Sequence, residues 1–253
     1  MRLKRLQDLN GCRRLVVKIG SSLLVERGEP RKAWLASLVQ ELAGLRGHGT
    51  EIVLVSSGAI ALGSAKLGLA RGGRASLADA QAAASVGQIA LAHLWSENLG
   101  AHGLTAAQIL LTLDDLEDRR RYLNASATFA RLLEAGAVPV VNENDSVATA
   151  EIRFGDNDRL AARVAQAAGA DAVLLLSDVD GLYDRDPGLS DAQLVEQVDG
   201  ITPKCSPWRA RHRLRAWVRA GWSRNCKQHR LPSARGLRWR SSMARMRRRL
   251  RGL

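Results

Sequence analysis

The chain has 253 residues, 46% of them hydrophobic, and a formal net charge of +13. That is enough apolar material for a sizeable core in one large domain or two smaller ones. There is no apolar run of the roughly 18 residues a membrane span needs. The basic N-terminus lacks the apolar stretch of a signal peptide. Cys12, Cys205 and Cys226 are too few and too scattered for a disulfide framework or a zinc site. A cytoplasmic protein is the default expectation.

The charge is unevenly spread. Of the 38 Lys and Arg residues, 17 lie in residues 200–253, where there is no Asp or Glu. The first 199 residues hold the other 21 and all 25 acidic residues, a net of −4. Four of the six tryptophans also fall in the last stretch. A mildly acidic body is thus joined to a strongly cationic tail, and so abrupt a shift marks a boundary.

Leu15-Val16-Val17 with Ile19 reads as a strand, and Lys18-Ile19-Gly20-Ser21-Ser22 as its exit into a tight loop. Gly20 permits close backbone approach, Ser21 and Ser22 offer groups for phosphate, and Lys18 supplies a cation. An ordinary strand-to-turn junction with an exposed lysine explains the pattern equally well. Pro30 to Gly47 has helical apolar spacing, with Pro30 in the first turn and Gly47 or Gly49 as the stop. Glu51 to Val55 is the next strand and completes a βαβ unit, which implies a parallel, right-handed connection. Ser56-Ser57-Gly58 follows; Ser57 suits a helix N-cap or a ligand carboxylate, and the two are compatible.

Ala75 to Gly100 is an alanine-rich helix whose apolar face includes Leu91, Leu94 and Trp95, with Gly87 suited to close helix packing. Gln108 to Thr112 is a strand, Asp114 to Arg121 a solvated helix start, and Tyr122 to Gly136 a helix with Gly136 at its C-cap. Ala137 to Val141 is a buried strand. It enters a stretch holding Asn142, Glu143, Asn144, Asp145, Glu151, Asp156, Asn157 and Asp158. Residue type alone fits a turn-rich solvated loop there. Arg159 to Ala168 is a helix and Ala172 to Leu176 a strand, followed by Ser177-Asp178-Val179-Asp180-Gly181. The last run lacks the terminal glutamate of a calcium loop.

Four polar clusters therefore stand at the ends of apolar runs: 18–22, 56–58, 142–145 and 177–181. In an open parallel sheet they converge on one edge. Their lysine, small hydroxyls, glycines and carboxylates suit nucleotide phosphates, a divalent cation and a small polar substrate. No Walker A, HExxH or GxSxG pattern occurs. Phosphoryl transfer, which needs positioning and charge neutralisation more than covalent help, fits this inventory.

Four segments carry a family resemblance: LVVKIGSSLL, VLVSSGAIALG, PVVNENDSVATAEIRFGDND and LLLSDVDGLYDRDP, in that order. Together they resemble the amino acid kinase family and, within it, its glutamate 5-kinase branch. The likeness runs from about Arg14 to about Pro203. It implies a three-layer α/β/α sandwich with a mainly parallel central sheet, incomplete here at the C-terminus. It also implies transfer of the ATP γ-phosphoryl group to the γ-carboxylate of L-glutamate, the opening of proline biosynthesis. Lys18 would contact the ATP phosphates, with Gly20 and Ser21 lining the phosphate loop. Ser177 and Asp178 would touch the nucleotide. Ser57, Asp145 and Asn157 would bind glutamate, and Asp158 would organise the catalytic lysines or Mg2+. No dedicated protein metal site is assigned. Homo-oligomers and inhibition by proline are further expectations of the resemblance. Another small-acid kinase of this fold, a non-catalytic ligand-binding subunit, and a nucleic-acid-binding protein acting through its tail are the competing readings.

The family pattern breaks after residue 203. The family continues with a glycine-rich GTGGMxTK-like segment bearing a second phosphate-contacting lysine, and many members add a PUA domain. Residues 204–253 show neither. The division expected is a kinase domain over 1–203 and a basic Arg/Trp-rich tail over 204–253. That tail reads as a nucleic-acid-binding arm, a solvated basic tail, or the product of a reading-frame shift near codon 204. The frame shift is preferred, because the change of composition coincides with loss of an expected catalytic segment. Translating the gene beyond codon 203 in its two other frames should reveal a GGM-x-TK-type continuation; its absence from both frames would refute the idea.

Overall fold

The computed structural model describes residues 12–147, 156–179, 181–185, 188–195 and 238–241. Its core is a parallel sheet. β1 (Arg14–Ile19), β4 (Glu51–Ser56), β5 (Ala106–Leu111), β6 (Val138–Glu143) and β7 (Ala172–Leu176) stand in the order β7-β1-β4-β6-β5. A tail strand, Arg238–Ser241, pairs in parallel with the outer edge of β7. The remaining tail residues lie outside the described residues, as does the segment 148–155.

Side chains alternate across these strands with a period of two, and the two faces have different covers. Leu15, Val17, Ile19, Ile52, Leu54, Val138 and Val140 join one core with α2 (Lys32–Gly47) and α4 (Leu77–Gly100). Val16, Val53, Val55, Val141 and Val173 join the other with α5 (Leu113–Glu117), α6 (Arg119–Glu134) and α7 (Asp156–Ala167). The result is a helix–sheet–helix sandwich, as the sequence implies. At the N-terminal strand ends Arg14 acts as a clasp. Its Nε and Nη2 lie 2.8 and 2.7 Å from Glu51 Oε2, its Nη1 donates to the Ala168 carbonyl, and its backbone N–H donates to Asp171 Oδ2 at 2.8 Å.

Two local expectations are corrected. Pro30 is not in the first turn of α2. Val25–Glu26 (β2) and Glu29–Pro30 (β3) form a small hairpin, and α2 starts at Lys32. The two turn residues, Arg27 and Gly28, both have positive φ (52° and 83°), the geometry of a hairpin turn whose twist matches the strands. Nor is Asp114 to Arg121 one helix start. Asp118 is extended, ends α5, and caps α6 by accepting from the Arg121 N–H at 2.8 Å. At the other end of α5, Thr112 and Asp115 form a reciprocal capping box. Burial opposes ionisation of Asp115, but the Thr112 N–H and hydroxyl and the Arg121 guanidinium outweigh it and hold its carboxyl below the usual range.

Helix α3 (Ala59–Leu67) crosses α4 with the backbones almost touching. A Cβ added at Gly63 would lie 1.8 Å from the Ala83 carbonyl oxygen, and one at Gly87 would lie 1.7 Å from that of Ala59. Only glycine allows this approach. We therefore expect Gly87→Ala to force the two helices apart and destabilise the fold by about 2 kcal/mol or more. Gly100→Ala, where a Cβ meets open space, should leave stability unchanged or slightly raised. Urea midpoints that move equally for both variants would contradict this account.

Candidate active site

Four neighbouring strands, β7, β1, β4 and β6, end on one rim in register. Ile19 lies beside Ser56 on one side and Leu176 on the other, and Val55 pairs with Val141. The four polar clusters of the sequence thus begin at the same level. Backbone hydrogen bonds tie the exits together: Gly20 N–H to the Leu176 carbonyl and Ser57 N–H to that of Ile19, both at 3.1 Å.

Strand parity places Lys18 on the α7 face, beside Val16. It is buried, with 3% of its surface exposed, so it is not the solvated lysine of an ordinary turn. Its Nζ lies 2.7 Å from Asp158 Oδ1, an ion pair without the alignment of a full hydrogen bond. One residue earlier on α7, Asn157 Nδ2 donates to Ser57 Oγ at 2.6 Å. The Oδ1 of Asn157 is buried and accepts from no donor among the described residues. The first turn of α7 therefore reaches over the boundary between β1 and β4, holding both strand exits at once.

Ser57 is not an N-cap, contrary to one of its two sequence readings. The cap position is Gly58, with φ of 120° and no side-chain bond, so the hydroxyl of Ser57 remains available to Asn157. Gly20 precedes the short helix α1 (Ser21–Leu24) and has ordinary φ; Ser21 is the first residue of that turn. Ser177 is buried just beyond β7, its hydroxyl within 3.4 Å of the Val179 carbonyl, and Asp178 beside it is exposed. Asp145 is buried beyond β6. Asp180 of the same sequence cluster lies outside the described residues.

Along the rim the order is Ser177 and Asp178 after β7, Lys18, Gly20 and Ser21 at β1, Ser57 after β4, and Asp145 after β6. Sequence reasoning named all of these. It missed Arg74, in the turn leading to α4. Partial desolvation lowers the pKa of that guanidinium and the Asp145 carboxylate pulls it back up, so it remains a cation beside the site. It also missed the roles of Asn142, Gln88 and Ser56. Asn142 Nδ2 donates to Gln88 Oε1 at 2.6 Å, and Trp95 Nε1 donates to Ser56 Oγ at 2.9 Å. The bonds of Ser56 and Asn142 follow from strand alternation only once the partner helix is known.

The described residues contain no group of three or more side chains able to cage a metal ion. The central carboxylate, Asp158, is committed to Lys18. Among the described residues, then, no preformed cage for a divalent ion is present.

The amino acid kinase family profile matches residues 13–204. The chain belongs to the amino acid kinase family. It is 69% identical over 203 residues to a protein named glutamate 5-kinase from Novosphingobium aromaticivorans, covering 80% of this chain and 54% of that one. Proteins of the same name from Sphingopyxis alaskensis and Zymomonas mobilis are 63% and 62% identical, covering 75% and 76% of this chain and 52% and 49% of theirs. The chain spans about half the length of the curated relatives it matches. The family match ends at residue 204, where the composition turns basic.

The ion pair at the centre of this kinase fold has a measurable cost if broken. Asp158→Asn would take from the buried Lys18 ammonium the carboxylate that lies 2.7 Å away, and we expect a loss of about 3 kcal/mol. Lys18→Met should cost less, and combining the two changes should recover part of the loss. Chemical denaturation of the three variants tests this; wild-type stability for Asp158→Asn would contradict it.

Proposed function

We propose that this site transfers the γ-phosphoryl group of ATP to the γ-carboxylate of L-glutamate. The observation that carries the reading is the place of Lys18 on the rim. Gly20 and Ser21 follow it at the exit of β1, and Ser177 and Asp178 lie on its β7 side, a set of hydroxyls and backbone amides suited to nucleotide and phosphate. Ser57, Asn157 and Asp145 lie on its β6 side, with hydroxyl, amide and carboxylate groups suited to an amino acid. A buried ammonium at the junction is where migrating phosphoryl charge would sit.

In this reading Lys18 draws on the transferring phosphoryl oxygens and Asp158 fixes its position. Ser57 and Asn157 hold a carboxylate of the amino acid, and Asp145 pairs with its ammonium. The attacking γ-carboxylate is already ionised near neutral pH, so no strong base is required. One oxygen–phosphorus bond forms as the bond from the γ-phosphorus to the bridging oxygen breaks, and ADP leaves. Charge neutralisation and in-line placement do the remaining work. The relatives named glutamate 5-kinase support glutamate over other acids. Among the described residues no helix is long and apolar enough to cross a membrane, and dependence on ATP favours the cytoplasm. Proline inhibition and homo-oligomers belong to the same reading.

Residues 204–253 bring no second phosphate-binding lysine in a glycine-rich segment. Loss of one such contact costs about a hundredfold or more in rate. We therefore expect the purified chain to bind L-glutamate and a nonhydrolysable ATP analogue by calorimetry, yet to release ADP only feebly on adding glutamate. Tighter binding of aspartate or acetylglutamate than of glutamate would overturn the substrate, and turnover at ordinary kinase rates would overturn the expected weakness.

A further inference from the structure

Ser56 and Asn142 break the pattern of the face they occupy. On the α4 side of the sheet, β1 ends in Ile19 and β7 in Leu176, both buried and apolar. By the same alternation β4 reaches Ser56 after Ile52 and Leu54, and β6 reaches Asn142 after Val138 and Val140. Ser56 is fully buried and Asn142 is 3% exposed. Polar groups so placed cost free energy unless bonded, and apolar side chains of similar size would close this core without that risk.

Helix α4 supplies the partners from one stripe. Ala84, Gln88, Leu91, Trp95 and Leu99 recur at the spacing of a single helix face, and all but Gln88 are buried core residues. Gln88 accepts from Asn142, and Trp95 donates to Ser56. Ser56 in turn donates to the Ser57 carbonyl at 3.2 Å, and the Asn144 N–H donates to the Leu111 carbonyl at 3.0 Å. Both strands served in this way lead directly into residues assigned above to the amino acid, Ser57 and Asp145. The two strands that lead to the nucleotide side, β1 and β7, end apolar on this face.

We propose that Gln88 and Trp95 are positioning residues for the amino acid substrate. They act through Asn142 and Ser56 to hold the exits of β4 and β6 at the spacing that amino acid requires, and leave the nucleotide side untouched. The glycine-mediated contact of α4 with α3 holds the helix close enough for both bonds. This inference rests on the reading of the β4–β6 side as a glutamate site.

Calorimetry on the full-length chain separates the two. Gln88→Met keeps the length and removes the accepting oxygen; Trp95→Phe keeps most of the ring and removes the donor. Each should weaken L-glutamate binding by about tenfold, the effect of stranding one buried polar group. The affinity for a nonhydrolysable ATP analogue should stay within about threefold of wild type. Gln88→Glu, which retains an acceptor for Asn142, should bind glutamate more tightly than Gln88→Met. Unchanged glutamate affinity in both variants would overturn the proposal. So would parallel loss of glutamate and nucleotide affinity tracking a fall in Tm, because that is what a purely structural bond produces. If Gln88→Met does not fold, Trp95→Phe decides by the same criteria. Failure of the wild-type chain to bind glutamate at all would instead remove the substrate reading, and this inference with it.

Discussion

A buried ammonium must have a counter-charge, and most of the site follows from meeting that need for Lys18. Its place on β1 is fixed by register with β4 and β7 on either side. The alternation of the strand turns it toward the face covered by α7. α7 starts over the rim and so brings Asp158 within 2.7 Å of it. Once α7 starts there, Asn157 falls over β4 and meets Ser57. One electrostatic constraint thereby orders two strand exits and a helix. The joint it creates lies midway between the groups suited to phosphate and those suited to an amino acid.

The two faces of the sheet divide the labour around that joint. The α7 face carries the charge, through Lys18 and Asp158. The α4 face carries neutral polar bonds, Trp95 to Ser56 and Asn142 to Gln88, at β4 and β6, the strands that lead to the proposed amino-acid side. Charge is tolerable on the first face because it is paired. Neutral amide and hydroxyl groups are tolerable on the second because a helix is pressed close enough to meet them. The close crossing of α3 and α4 at Gly63 and Gly87 belongs to the same packing.

Much of this was legible in the sequence. Apolar runs ending in KIGSS, SSGA, NEND and SDVDG pointed both to a parallel sheet and to the edge on which the polar clusters begin. What was not legible has specific physical causes. Arg27-Gly28 makes a hairpin turn without an Asn-Gly signature, so Pro30 read as a helix start. Ser57 read as a cap as well as a ligand-binding hydroxyl because serine suits caps, and nothing local reveals that Gly58 takes the cap position. Trp95 read only as part of an apolar face, since the indole ring explains its burial and hides the use of its N–H. Ser57 and Asn157 were each named, but their bond spans a hundred residues of sequence. Pairings of that range depend on register and helix entry, which no local pattern encodes.

The edge beyond β7 bears on how the family design is realised in this chain. A parallel sheet leaves its outer strand with unpaired N–H and C=O groups, a template for association unless something covers it. Here residues 238–241 pair with Ala172 to Leu175. They come from a segment outside the family match, which ends at residue 204. Main-chain pairing needs no particular side chains, so almost any extended segment can satisfy an edge of this kind. The proposed phosphoryl transfer is less forgiving, because it needs charge neutralised at a set place, and that depends on side chains. Covering the edge and completing the charge are separate requirements.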